Sequence, residues 1–407
     1  MSAAEAALNS DLASTAPAPE TPGAPRKKMP LLLKVYGILL IAASVIPIPV
    51  MILIVIGMVF GMQEIMKEID LNTYVIMGVF IGINAIGCVV ELVFGINLLR
   101  NKRRFARQVC EVLIVLGIGS LLCELMLVGT SDVSFSYYVV RFAILIACMV
   151  YLDPSLAEER ALQRKLRDME TRERAEDGTL GRDESGKGFI ELDFFNLFWI
   201  FVVCCVLGLV IETVYHFVVV DPGHYQDRTG MLYGPFSPIY GFGAVLMTVA
   251  LNRFHKAPII VIFLVSAVIG GAFEYLVSWF LQFAFGIVAW DYTGTFLSID
   301  GRTNGMFMCM WGVLGCVWIK LCLPRMLKLV NIIPWNWRYG LTTVCAALMI
   351  VNGFMTLAAL DCWYQREDGQ QPENALEEFC ADHYDNQFMA NRFQSMSINP
   401  DNSTRTN

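Results

Sequence analysis

Nine long apolar stretches dominate this chain of 407 residues and limit what it can fold into. A helix needs about 20 mostly apolar residues to cross the roughly 30 Å of hydrocarbon in a bilayer. Hydrophobic residues make up 56% of the chain and charged residues only 16%, which excludes a water-soluble globular fold. The sequence predicts an all-α polytopic membrane protein with helices near 35–60, 73–99, 109–129, 134–152, 194–214, 233–251, 258–282, 305–323 and 340–360.

The placement of lysine and arginine in the short loops predicts the orientation, since these residues concentrate on the cytoplasmic side. With nine spans, the basic residues of the short loops fall on the same side as the N-terminus. They are Arg26, Lys27, Lys28, Lys34, Arg100, Lys102, Arg103, Arg104, Arg107, Arg253, Lys256, Arg325, Lys328 and Arg338. We therefore expect a multi-pass protein of the cell membrane with its N-terminus inside and its C-terminus outside.

Composition shifts divide the chain into five segments. We predict a disordered tail over 1–30, a four-span membrane module over 31–152 and a charged cytoplasmic linker helix over 153–189. A five-span module follows over 190–360, and an acidic, external C-terminal tail over 361–407. This acidic tail accounts for much of the net charge of −7, so the charge does not indicate a nucleic-acid partner.

The end of the linker contains a near match to the phosphate-binding loop of nucleotide-binding proteins, Gly181-Arg-Asp-Glu-Ser-Gly186-Lys187-Gly188. That loop needs a preceding buried strand and a Ser or Thr hydroxyl after the lysine. Here charged helical sequence precedes the loop and Gly188 replaces the hydroxyl residue. We predict no nucleotide site in this chain, no other cofactor, and no metal site.

Two cysteines, Cys362 and Cys380, lie in the predicted external tail, whereas the other ten lie in or beside apolar spans. An oxidising exterior permits a disulfide between them. Since this depends on the predicted orientation, the sequence leaves the disulfide and the free thiols as alternatives.

Three charged residues lie inside the spans of the first module: Glu91, Glu124 and Arg141. A rise of about 1.5 Å per residue, counted from the span ends, places Glu124 and Arg141 within one turn in depth. The sequence therefore predicts a structural ion pair between Glu124 and Arg141, and leaves Glu91 without an obvious partner.

Proline and glycine residues indicate two further features of the first module. Pro47 and Pro49 predict a kink near the middle of the first span. Gly57–Gly61 and Gly78–Gly82 are small-xxx-small patterns in consecutive spans, which favour close helix packing at those positions.

The second module contains a segment, Gly230–Gly243, that combines four glycines and two prolines at the start of a span. Backbone that departs from helix at membrane depth is tolerated only where it is buried in protein or lines a cavity. Intramembrane carboxylates are functional-site candidates by default, and Glu212 and Glu274 lie in the neighbouring spans. The candidate residues of an outward-facing polar pocket are Glu212, Tyr215, Arg228, Gly234, Pro235, Pro238, Tyr240, Glu274, Tyr275, Trp279, Trp290, Asp291 and Arg302. The alternative is a set of structural ion pairs and hydrogen bonds that tie the loops to the bundle.

An ordered set of motifs over about residues 195–325 resembles the bacterial CmpB-like family of ABC-transporter permeases. The motifs are Gly208-Leu-Val-Ile-Glu212, Asp227-Arg228-Thr-Gly, the Gly230–Gly243 segment, Glu274-Tyr-Leu-Val-Ser-Trp279, Trp290-Asp-Tyr292, Asp300-Gly-Arg302 and Trp311. The resemblance implies a membrane permease component of a transporter in the bacterial plasma membrane. Such a component requires a separate cytoplasmic ATPase subunit. The segment Pro324–Tyr339 is the candidate contact for it, or alternatively an interfacial helix.

Two other classes of function remain open from the sequence. The protein is an enzyme acting on a lipid or lipid-linked group if burial separates the pKa values of Glu212 and Glu274 into an acid and a base. No residue pair at nucleophile–base spacing supports this, so we favour a protein that is not an enzyme. A non-catalytic membrane scaffold is the third class. The sequence names the lipid bilayer as a partner and leaves an oligomer open.

Overall fold

The computed structural model describes residues 29–60, 70–102, 105–129, 132–152, 173–174, 177–183, 185–403 and 405. Most of the predicted N-terminal tail and most of the predicted linker helix lie outside these ranges. The described residues form helices and isolated bridges but no strand. The helices, in chain order, are α1 Leu31–Val45, α2 Ile48–Phe60, α3 Leu71–Leu99, α4 Ala106–Leu127, α5 Asp132–Leu152, α6 Phe194–Tyr215, α7 Pro238–Leu251, α8 Ile259–Phe285, α9 Gly305–Val317, α10 Leu323–Val330, α11 Trp335–Glu367, α12 Ala375–His383 and α13 Asn386–Arg392.

Helices occur at all nine predicted positions, which confirms an all-α polytopic membrane protein. Among the described residues, seven helical segments are long and apolar enough to cross a membrane. The helices at the other two positions, α5 and α7, are shorter in their apolar part or in length, so their crossing stays a prediction. We call the end of the bundle at residues 286–304 the outer end and the opposite end the inner end, after the predicted orientation.

The first module contains α1 to α5. The helix predicted over 35–60 breaks between α1 and α2, next to Pro47, as the prolines predict. The close packing of small residues occurs elsewhere than predicted. A Cβ on Gly95 would lie 2.7 Å from the carbonyl oxygen of Gly37, so α1 and α3 touch there, whereas nothing lies within 4 Å of Gly57 or Gly78.

The intramembrane ion pair of the first module joins Arg141 to a different carboxylate from the predicted one. Arg141 Nη2 donates to Glu91 Oε1 at 2.7 Å, and both side chains are largely buried. Glu124 instead accepts a hydrogen bond from the Tyr138 hydroxyl at 2.9 Å. The predicted partner was therefore wrong, because the rise along a helix gives the depth of a residue but not the face on which it lies.

The residues between 177 and 191 form a small hairpin against the inner end of the second module. Asn252 of the inner loop binds both sides of its backbone: its Oδ1 accepts from Ile190 N at 3.0 Å, and its Nδ2 donates to Ile190 O at 2.9 Å. Asn331 Nδ2 donates to Leu180 O, and Asn196 Nδ2 donates to Glu191 O. The hairpin is thereby fixed by side chains from three separate parts of the second module.

The carboxylate of Asp183 fills the loop that resembles a phosphate-binding loop. It accepts hydrogen bonds from Ser185 N at 2.9 Å and Gly188 N at 2.6 Å. The Ser185 hydroxyl and the Gly188 N–H hold the pKa of this exposed carboxyl below its usual value. The N–H groups that would face a phosphate are thus directed at the chain's own carboxylate.

The helix α10, within the segment proposed as an ATPase contact or interfacial helix, packs against the module itself. Its apolar residues Leu323, Met326, Leu327 and Val330 are buried in the core that α6, α7 and α8 share. The charged side of α10 remains at the surface, where Arg325 is exposed. The apolar stripe of α10 is therefore used inside the protein.

The C-terminal residues are folded onto the outer end of the bundle. Residues of α12 and α13 join a core cluster that also contains Leu125 of α4 and Phe285 of α8, so this cluster links both modules. Arg405 forms an ion pair with Asp361 of α11 at 2.5 Å, with 5% and 0% of the two side chains exposed. The guanidinium of Arg405 also lies 4.1 Å from the ring centroid of Tyr364.

Candidate functional site

The segment 230–237 enters the bundle from the outer end and stops well inside it, so we call it the re-entrant segment. Its last residue, Ser237, donates its N–H to the carbonyl of Cys205, which lies in the middle of α6. The helix α7 begins there, with Pro238 at its first position, where a missing N–H costs nothing. Gly234 takes a positive φ of +74°, which glycine adopts without strain.

Polar side chains of α11 satisfy the backbone of the re-entrant segment. Asn352 Oδ1 accepts from Tyr233 N at 3.1 Å, and its Nδ2 donates to Tyr233 O at 2.8 Å. Thr356 Oγ1 accepts from Leu232 N at 2.9 Å. Asn352 and Thr356 were not predicted as site residues. Their signal is an i,i+4 pair of polar residues inside an otherwise apolar span, which places both on one helix face.

Close approach between α6 and α7 requires a glycine in each of the two helices. A Cβ on Gly208 would overlap the ring of Tyr240, and a Cβ on Gly241 would overlap the thiol of Cys205. Both substitutions would force the helices apart. These glycines of the sequence motif therefore determine how α7 is seated against α6.

The first polar cluster joins Glu212 of α6, Arg228 of the outer loop and Tyr240 of α7. Arg228 Nε lies 3.2 Å from Glu212 Oε1, an ion pair in which this N–H is not aligned for a hydrogen bond. About a quarter of each side chain is exposed. The Tyr240 hydroxyl forms a hydrogen bond with the same carboxylate. The predicted residues Glu212, Arg228 and Tyr240 are thus brought together.

The second polar cluster surrounds Glu274 of α8 with neutral donors. The Tyr292 hydroxyl donates to Oε1 at 3.0 Å and the Thr303 hydroxyl donates to Oε2 at 2.9 Å. Trp311 of α9 supplies a third side-chain hydrogen bond. Glu274 is 7% exposed, and among the described residues none forms an ion pair with it.

The outer loop between α8 and α9 presents Tyr292 to this carboxylate. Burial and the nearby Glu274 carboxylate raise the pKa of the Tyr292 hydroxyl, which therefore stays protonated and remains a donor. The Tyr292 ring stacks on Phe307 with a centroid distance of 4.6 Å. Tyr292 lies near Tyr240, so the two polar clusters are neighbours.

Arg302 organises the outer end of α8 beside the second cluster. Its Nε donates to Asp300 at 3.1 Å and its Nη1 to Ser278 at 3.3 Å, while its own carbonyl accepts from Trp290 Nε1 at 2.7 Å. The guanidinium lies 5.9 Å from the ring centroid of Tyr275. The predicted residues Arg302, Trp290 and Tyr275 therefore lie in one network, in which Asp300 balances the positive charge of Arg302.

Several predicted pocket residues have other roles in the structure. Tyr215 is 56% exposed on the outside of the bundle, and Trp279 packs edge-on against Phe283. Asp291 accepts two hydrogen bonds from Thr293, which shape its own loop and hold the pKa of its carboxyl low. The other three shape the backbone at the start of α7: Gly234 and Pro235 lie in the turn before it, and Pro238 is its first residue.

Cys362 and Cys380 lie side by side in the outer core cluster. Both are buried free thiols, and their side chains share a hydrogen bond. The fold therefore brings together the two cysteines that the sequence singled out. The disulfide between them stays a prediction.

Comparison with known proteins gives one match. No curated protein and no solved structure shows significant similarity to this chain. Residues 199–357 match the model of the family described as "Putative ABC-transporter type IV". This range contains both polar clusters, the re-entrant segment and Asn352. The CmpB-like resemblance that the motifs predicted is therefore confirmed, since residues 199–357 of this membrane protein match the model of that ABC-transporter family.

Proposed function

We propose that residues 190–360 form the permease part of a transporter in the bacterial plasma membrane. In this proposal, the Glu212 and Glu274 clusters handle the substrate on the outer side of the membrane. A separate cytoplasmic subunit supplies ATP hydrolysis. The matched family supports the transporter component, and the geometry of the clusters supports the position of the site.

One observation carries the proposal: the re-entrant segment starts a helix at the level of Cys205, deep in the bundle and beside an intramembrane carboxylate. Discontinuous helices of this kind form the substrate sites of many secondary transporters, because unwound backbone and helix ends face the transported group there. A purely structural bundle gains nothing from a helix that stops halfway.

The bonding within the clusters supports a site that can exchange partners. Glu274 is held by the Tyr292 and Thr303 hydroxyls, which can rotate to accept instead of donate. Glu212 is held by a partly exposed arginine rather than a buried one. A substrate can therefore replace these contacts without leaving a buried charge unpaired.

The proposed ATPase partner rests on the family match, and the loop at Asp183 agrees with it. Because its N–H groups already bind that carboxylate, the loop is not arranged for a nucleotide phosphate. The inner end offers exposed basic residues, Arg253 and Arg325 among them, next to the fixed hairpin at 177–191. We propose this inner surface as the contact for the ATPase.

The test combines co-purification with complementation of a deletion strain. A gently solubilised protein should carry an ATPase subunit, visible by native mass spectrometry. Glu212→Gln and Glu274→Gln should abolish complementation while both proteins remain folded. Glu111→Gln, which changes an exposed carboxylate in the first module in the same way, is the control. Full complementation by both site variants would refute the proposed site. Substrate turnover by the purified protein without ATP would favour the membrane-enzyme alternative.

A further inference from the structure

We propose that the C-terminal residues 375–405, here called the outer strap, position the re-entrant segment, and that Arg392 is the positioning residue. The strap lies beyond residue 357, outside the segment that matches the family. Its effect on transport rests on the proposed function, whereas the positioning itself does not.

Arg392 binds the backbone of the re-entrant segment at two points. Its Nε donates to the carbonyl of Met231 at 3.0 Å, and its Nη2 donates to the carbonyl of Gly234 at 2.6 Å. Its Nη1 lies 3.6 Å from Asp227 Oδ2. A guanidinium has donors in a fixed plane, so one side chain holds both carbonyls at a set separation. A lysine in its place would have all its donors on one nitrogen and could not hold the two carbonyls at the same separation.

A second strap residue, Gln394, fixes the loop that leads into the segment. Gln394 Oε1 accepts from Asp227 N at 2.9 Å, and the Gln394 carbonyl accepts from Gln226 Nε2 at 2.8 Å. The Tyr384 hydroxyl of the strap also forms a hydrogen bond with the hydroxyl of Tyr233. The strap therefore contacts the chain between residues 226 and 234, which includes the end of the outer loop and the first half of the re-entrant segment.

The strap is itself anchored by apolar burial rather than by these polar contacts. Cys380, Met389 and Phe393 are each 0% exposed within the outer core cluster. Ile398 forms a bridge with Ile287 after α8. Because these apolar side chains are fully buried, the strap keeps its place without its polar contacts to the re-entrant segment.

The strap reaches the first polar cluster through Gln226 and Asp227. The Gln226 carbonyl oxygen Oε1 accepts from Arg228 Nη1 at 3.1 Å, and Arg228 pairs with Glu212. Loss of Arg392 and Gln394 contacts would therefore loosen the loop that places Arg228 against Glu212. The second cluster depends on Tyr292, Thr303 and Trp311 and shares no residue with the strap.

The test is hydrogen exchange on the full-length protein in detergent, comparing Arg392→Ala with Arg366→Ala. Arg366 is the matched control, because its guanidinium donates to Tyr384 O and Asn386 Oδ1 of the strap, and none of its described hydrogen bonds reaches the re-entrant segment. Arg392→Ala should speed exchange in 226–237 about tenfold or more, the change expected from losing hydrogen bonds worth about 1.4 kcal/mol. Arg366→Ala should change exchange in 375–392 only.

A chemical readout separates positioning from general stability. Dicyclohexylcarbodiimide modifies membrane carboxyl groups, and its products on Glu212 and Glu274 can be quantified by mass spectrometry. Arg392→Ala should raise modification of Glu212 severalfold and leave Glu274 unchanged, and Arg392→Lys should restore part of the protection. Gln394→Ala, a milder change, should show the same pattern if the arginine variant does not fold.

Three outcomes would overturn the proposal. They are unchanged exchange in 226–237, an equal effect of Arg392→Ala and Arg366→Ala on that segment, and equal increases in modification of both glutamates. Each of these readouts is independent of transport. Failure of the Glu212 and Glu274 variants in complementation therefore tests the proposed function separately.

Discussion

Replacing Glu274 by glutamine should separate function from stability at the second polar cluster. The carboxylate accepts three hydrogen bonds, from Tyr292, Thr303 and Trp311, and is 7% exposed. Glutamine keeps the size and shape of the side chain but removes the charge. One hydroxyl can rotate to accept from the new NH2 group while the amide oxygen keeps accepting from the other, so both hydroxyl contacts are preserved.

Two opposing terms set the expected change in the free energy of unfolding for Glu274→Gln. Hydrogen bonds to a charged group stabilise by about 1.5–3 kcal/mol and neutral ones by about 0.5–1.5, so three weakened bonds cost about 3 kcal/mol. Removing a charge from the middle of a membrane span gains about 2.5–3.5 kcal/mol. The terms nearly cancel, and we expect a net change within about 1 kcal/mol.

The same substitution at Glu212 should behave differently, because Glu212 has a cationic partner. Glu212→Gln leaves the guanidinium of Arg228 without its counter-ion. Removing one partner of a fully buried ion pair costs about 3–5 kcal/mol. Since about a quarter of each side chain is exposed to solvent, we expect a smaller loss of about 1–3 kcal/mol.

The assay is unfolding of the purified proteins by sodium dodecyl sulfate, followed by tryptophan fluorescence, beside complementation of a deletion strain. Glu274→Gln should unfold like the unchanged protein and fail to complement. Glu111→Gln, at an exposed i,i+4 pair, is the control for the chemical change itself. If Glu274→Gln loses more than about 3 kcal/mol, Glu274 is a structural residue and the reasoning is refuted.

Three further predictions test other parts of the structure. Gly208→Ala should destabilise the protein by about 1–3 kcal/mol through overpacking against α7, whereas Gly57→Ala, with nothing within 4 Å, should not; thermal unfolding of both in detergent checks this. Asp361→Asn and Arg405→Gln should each lower the free energy of unfolding by about 3–5 kcal/mol, and the double variant should lose less than the sum of the two. Additive losses in a double-mutant cycle would contradict the buried ion pair. The pKa of the Asp183 carboxyl is held below its ordinary value of 3.8, so the carboxylate stabilises the hairpin fully above that pH and loses this effect as the pH falls through the lowered pKa. Hydrogen exchange of the hairpin should therefore become faster at low pH in the unchanged protein. In Asp183→Asn this pH dependence should be absent.

The positions of the helices and of the irregular backbone could be predicted from the sequence better than the contacts within the site. Hydropathy alone located helices at all nine positions, because each must satisfy its own backbone in an apolar surrounding. Glycine and proline in Gly230–Gly243 indicated irregular backbone, and the structure begins α7 at Pro238 rather than at residue 233. The depth of the re-entrant segment could not be predicted, since it depends on contacts with Cys205 and Asn352 in other helices.

Pairing between charged side chains required information that a linear sequence lacks. Arg141 pairs with Glu91 of α3, whereas Glu124 of α4 binds Tyr138, and the sequence alone does not show which helix faces Arg141. Glu212 and Arg228 were both predicted as site residues, but their pairing depends on a loop that the outer strap holds. A strap more than 150 residues away in the chain leaves no local pattern near the site.

Two asparagines of the second module make the same kind of contact, one near each end of the module. Asn352 binds the N–H and the carbonyl of Tyr233, and Asn252 does the same for Ile190. A primary amide has a donor and an acceptor side by side. It can therefore bond both the N–H and the carbonyl of one residue of irregular backbone, as a neighbouring strand would. One such contact fixes the re-entrant segment at the site, and the other fixes the hairpin at the inner end. Helix α7 runs between these two fixed points, from Pro238 to the residue before Asn252. A helix of only 14 residues therefore connects the two clamped regions.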